Sequence, residues 1–162
     1  MPTITMLDKE LVAVAISVAA GCRPCTTYHL AEARRAGADD AAIEKAVAGA
    51  MCVRKSATEG MRLHALGLEA AEDGCGCGTT DALAELVALG ASLAVNCTAN
   101  IDKHLTAARR LDVPPEHLDA VAALAGKIRS QAIRHAEEPF GGGPARSPMA
   151  SCAEVMTSAK CC

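Results

Sequence analysis

The stretch on which the reading of this chain turns is Glu10-Leu-Val-Ala-Val-Ala-Ile-Ser-Val-Ala-Ala-Gly21-Cys22-Arg-Pro-Cys25-Thr-Thr-Tyr-His29. Its pattern returns 75 residues later without a gap. Glu85-Leu-Val-Ala88 falls on Glu10-Leu-Val-Ala13, Ser92 on Ser17, Cys97 on Cys22, and His104-Leu105 on His29-Leu30. Arg109-Arg110 likewise falls on Arg34-Arg35. A shared register for a Glu, a Cys and a His points to an internal duplication.

Each copy reads as three helices. Asp8 is the expected N-cap of a helix from Lys9 to about Ala20, and Gly21 stops it. Pro24 suits the first turn of a second helix reaching about Ala36. Asp39-Asp40 opens a third through at least Val53, with Ile43, Ala46, Val47 and Ala50 at helical spacing. In the second copy, Thr80-Asp81 opens a helix to Val95, a second runs from about Ala99 to Leu111, and Pro114-Pro115 starts a third to about Ile133. No run of alternating β-branched residues suggests a sheet. The expected fold is all-α: a first repeat over 1–73, a flexible Gly/Cys linker at 74–79, a degenerate second repeat over 80–136, and a mobile Gly/Pro/Cys tail over 137–162.

Of the 162 residues, 51% are hydrophobic, yet only Tyr28 and Phe140 are aromatic, so the core must be built from Ala, Val, Leu and Ile. The formal net charge of −3 offers no basic surplus to neutralise phosphates, which argues against nucleic acid as a partner. The apolar run Leu11 to Ala20 before Cys22 has the look of a signal segment. The residues ahead of it, Asp8, Lys9 and Glu10, are net acidic where a signal needs positive charge. A similar segment recurs mid-chain at Leu86 to Val95, and both read as buried helices. No stretch reaches the roughly 18–20 apolar residues of a membrane span, and the expected compartment is the cytoplasm.

Nine cysteines are too few for the roughly 8–10% of a secreted disulfide scaffold and are better read as chemical. Cys25 and His29, four apart, share one helix face, while Cys22 lies at the helix mouth, where unpaired amides favour a thiolate. A CxxC pair there can close a disulfide within one turn, and an imidazole nearby can relay a proton. CxxC is also half of a zinc site, but three ligands on one helical turn would leave a metal exposed. The second copy has Asn100 at the position of Cys25 and supplies no matching half. Glu10, twelve residues before Cys22, has two readings: a carboxylate that orients His29, or an exposed first-turn residue favoured by the helix dipole.

Glu10, Cys22-x-x-Cys25-x-x-x-His29 and Ala36-Gly37-Ala38 together resemble the alkylhydroperoxidase D-like branch of the carboxymuconolactone decarboxylase superfamily. The resemblance covers about Leu7 to Lys55, with the second copy a degenerate form. It implies an all-helical, homo-oligomeric antioxidant protein: a thiol-dependent peroxidase or disulfide reductase. In it Cys25 attacks the hydroperoxide, Cys22 resolves the sulfenic acid, and Glu10 and His29 relay protons. It implies a lipoyl or thioredoxin-type thiol reductant as partner and needs no cofactor or metal. The superfamily's decarboxylases lack the CxxC pair, so decarboxylation is not carried over. The helix dipole favours Cys22 as the more acidic thiol, while the i+4 histidine favours Cys25. A specific base outweighs a dipole worth about 0.3–1 kcal/mol, which selects Cys25.

Cys52 and Cys97 read as small packing residues. Cys75, Cys77, Cys152, Cys161 and Cys162 fall in Gly-rich or terminal segments. Cys161-Cys162 on a tether would suit electron transfer to the Cys22–Cys25 pair. With Cys75 and Cys77 it would equally suit capture of Cu(I), Hg(II) or As(III), the alternative function being a soft-metal or metalloid sequestering protein.

Overall fold

The computed structural model describes residues 4–68 and 81–140. These hold six α-helices and no strand: α1 (Met6–Ala20), α2 (Arg23–Arg35), α3 (Asp40–Ala65), α4 (Ala82–Ala94), α5 (Thr98–Arg110) and α6 (Pro115–Glu137), followed by a 3-10 turn at Glu138–Phe140. The fold is the all-α bundle expected. α2 and α5 begin 75 residues apart, as do α3 and α6. Local geometry keeps the same offset. Gly21 (φ 71°) and Asn96 (φ 55°) end the first helices in left-handed backbone, and Gly37 (φ 100°) and Asp112 (φ 54°) end the second ones. Asn and Asp are the non-glycine residues that tolerate this region best.

α1 and α4 form the centre. From Leu11 to Ser17 no residue is more than 3% exposed, and Glu85 to Ser92 are buried too. A helix apolar on every side has to be covered on every side. α2 and α5 each pack on their own central helix, while α3 and α6 each lie against both α1 and α4. Small residues let the central pair approach closely. A Cβ on Gly90 would stand 2.9 Å from Ile16 Cγ1 and 3.1 Å from Val12 Cγ1. Ser17 and Ser92, buried in these apolar helices, satisfy their hydroxyls on the carbonyls of Ala13 and Ala88 at 2.8 and 2.7 Å.

Two boundaries differ from the sequence reading, at α1 and α6. The N-cap of α1 is Thr5, not Asp8: its hydroxyl accepts the Asp8 N–H at 3.0 Å and donates to the Asp8 carboxylate at 2.7 Å. α3, expected through at least Val53, runs to Ala65. α6 and its 3-10 turn carry helical backbone to Phe140, past the composition change after His135 that reads as the start of a tail. The linker at 74–79, most of the tail, and Cys75, Cys77, Cys152, Cys161 and Cys162 lie outside the described residues. Among the described residues no helix is long and apolar enough to cross a membrane.

Candidate redox site

Gly21 turns the chain so that Cys22 becomes the N-cap of α2, and the Cys22 Sγ accepts the Cys25 N–H at 3.3 Å. Pro24, lacking an N–H, occupies a first-turn position where none is needed. Cys22 and Cys25 are joined in a disulfide with their Cα atoms 5.3 Å apart, and they are 6% and 5% exposed. One turn further along α2, His29 Nδ1 meets Glu10 Oε2 of α1 at 2.8 Å. Glu10 is therefore a buried partner of His29 and not an exposed first-turn residue. Tyr28 stands edge-on to the His29 ring, with centroids 5.0 Å apart. The structure thus brings the two sulfurs together and places His29 one turn along the same helix, bonded to Glu10 of α1.

The histidine that converges on the sulfurs is one the sequence reading passed over. Cys22 Sγ, Cys25 Sγ and a ring nitrogen of His135 all lie within 4.8 Å of one another, and His29 is not part of that group. His135 comes from the last turn of α6, which crosses from the second half of the chain to the mouth of α2. No local spacing announces it, because it is 110 residues from Cys25. Its ring also meets Gln131 Nε2 at 3.0 Å and Glu138 Oε2 at 3.8 Å.

The equivalent place in the second half keeps the frame without the chemistry. Cys97 caps α5, and His104 Nδ1 meets Glu85 Oε2 at 2.7 Å, with His104 fully buried and Glu85 1% exposed. Asn100 replaces the second cysteine. Its amide reaches the Val53 carbonyl and the Ser56 hydroxyl of α3, both at 3.5 Å. Cys97 is a free, half-buried thiol beside a cleft that Gly60, Met61 and His64 of α3 help to line. Gly60 holds the position that His135 holds in the other half. Cys52 packs half-buried against the core from α3, as expected, and is in addition disulfide-bonded.

Fold and site together define an all-helical protein carrying an oxidisable dithiol at a helix N-terminus beside a Glu–His pair. Residues 2–73, which hold α1 to α3, match the family model described as the Carboxymuconolactone decarboxylase family. Comparison with curated proteins gave no match, and comparison with solved structures gave none either.

Proposed function

We propose that this is a thiol-dependent peroxidase of the alkylhydroperoxidase D-like kind, built on an internally duplicated repeat in which the first copy alone is reactive. The observation that carries the reading is the 2.8 Å bond from Glu10 of α1 to His29 of α2, the helix whose start holds the buried Cys22–Cys25 disulfide. With Glu10 holding Nδ1, the Nε2 of His29 is the nitrogen left to take and return a proton.

In the reduced protein His29 assists ionisation of Cys25. The thiolate attacks an oxygen of the hydroperoxide, the O–O bond breaks, and an alcohol leaves with a proton. Cys25 becomes a sulfenic acid. Cys22 then attacks the Cys25 sulfur, water leaves, and the disulfide seen in the structure forms. A lipoyl or thioredoxin-type dithiol returns two electrons and two protons. The cytoplasm supplies such reductants. A homo-oligomer fits the apolar side chains left in solvent, among them Met51, Met61, Leu66 and Ile133, each more than half exposed.

The test is consumption of an alkyl hydroperoxide by the full chain with dihydrolipoamide as reductant. Sustained turnover is the expected result. A protein whose Cys22–Cys25 pair cycles with dihydrolipoamide but consumes no peroxide would be a disulfide reductase and not a peroxidase.

A further inference from the structure

His135 gives the dithiol a third potential ligand from outside its own helix. We infer that the reduced protein binds one borderline or soft divalent cation, such as Zn2+, through Cys22, Cys25 and His135. The disulfide and the metal are then mutually exclusive states of one site. This goes beyond peroxide turnover and does not depend on it.

Four features carry the inference. The three ligand atoms lie within 4.8 Å of one another across two helices. Tetrahedral zinc with Zn–S of about 2.3 Å and Zn–N of about 2.0–2.1 Å separates its ligands by roughly 3.4–3.8 Å. Once the S–S bond is cut, small rotations of the two thiols reach that spacing, and the 5.3 Å between their Cα atoms allows it. Both sulfurs are buried, so a cation there keeps its attraction for thiolate. Gln131 Nε2–H donates to His135 Nε2 at 3.0 Å and Glu138 Oε2 lies 3.8 Å from Nδ1, so a cation bound at Nε2 takes the place of the Gln131 hydrogen and leaves Nδ1–H facing a carboxylate. Finally, His135 and its neighbours are partly exposed, which leaves the fourth position to water or an entering thiol. The position equivalent to His135 in the other half is Gly60, and Asn100 stands for the second cysteine, so that half cannot build the same set.

The chemistry balances without an external oxidant. A dithiol reductant supplies two electrons and two protons to open the disulfide. Binding of Zn2+ then releases the two thiol protons.

Because any free thiolate is a ligand for soft cations, the test watches the nitrogen. The reduced full chain, labelled with 15N at histidine, is titrated with Zn2+, and the ring resonances are followed by long-range 1H–15N correlation. The inference expects His135 to shift with the first equivalent and to stay still in the disulfide form and in Cys22→Ser. His135→Ala should weaken that equivalent by more than about a hundredfold, since loss of an outer partner alone costs roughly 10–100-fold. Zinc uptake by the reduced wild type with the His135 ring unmoved would overturn the inference. The wild-type titration decides the matter even if a variant does not fold.

Discussion

Glu10–His29 and Glu85–His104 are nearly the same bond, 2.8 and 2.7 Å long, between the same turns of equivalent helices. They differ in what surrounds them. In the first half the side chains are 11% and 14% exposed and a disulfide lies one turn away; in the second they are 1% and 0% exposed and stand beside an asparagine. A Glu–His pair tying a central helix to its neighbour is therefore part of how this fold is held together, present with or without a reactive thiol. What sets the first copy apart is the second cysteine, the partial exposure of its Glu–His pair, and the distant histidine that α6 delivers. The first half carries an oxidisable dithiol at a shared structural joint, and the second keeps the joint alone.

The widest separation between the halves is expected in catalysis. Cys25→Ser should lower peroxide turnover by at least about 10³-fold, as removal of a nucleophile does. Cys97→Ser should leave turnover within about twofold. Equal losses in the two variants would erase the distinction.

Stability should separate the halves in the opposite direction. His104→Ala leaves the Glu85 carboxyl buried without its imidazole, at a cost of about 3–5 kcal/mol in urea unfolding. His29→Asn should cost less stability, because that pair is partly solvated, and should slow turnover by about a hundredfold as a lost proton relay. A His29→Asn protein that is strongly destabilised but fully active would reduce Glu10–His29 to a joint like its counterpart.

Smaller effects sharpen the contrast. Asn100→Cys rebuilds a CxxC in the second half at the loss of the hydrogen bonds to α3, about 0.5–1.5 kcal/mol. It should add no turnover, because Glu85 and His104 are sealed. Asp81, which caps α4 and accepts Lys45 Nζ of α3 at 2.7 Å, has no equivalent in the first half, where Met6 takes its place. Asp81→Ala should cost about 0.5–1 kcal/mol at neutral pH. The Lys45 bond holds the Asp81 carboxyl below its ordinary value of 3.8. A depressed folded-state value makes the contribution complete above that ordinary value and lost as pH falls below it. Wild type and variant should therefore converge in acid unfolding as the pH falls through the lowered folded-state value.

Much of this was legible in the residues, and the reason is that it is local or repeated. The 75-residue register placed the helices, and the i+4 spacing of Cys25 and His29 put both on α2. The twelve residues from Glu10 to Cys22 make a helix long enough to bring the carboxylate back to His29. His135 was not legible, because its place depends on how α6 crosses the other half. The disulfide at Cys52 was hidden for a related reason. An alanine-rich helical setting is as good for a small packed thiol as for a bonded one, and only the tertiary arrangement tells them apart. The Thr5 cap is masked in the sequence by Asp8, itself a good capping residue, which hydrogen-bonds to the true cap from the first turn of the helix.

The most direct measurement of the central claim is sulfenic-acid trapping after one equivalent of alkyl hydroperoxide is added to the reduced full chain, in Cys22→Ser and Cys25→Ser variants. The account predicts a dimedone-type adduct on Cys25 in Cys22→Ser and none at Cys22 or Cys97 in Cys25→Ser. An adduct confined to the Cys25→Ser protein would contradict it.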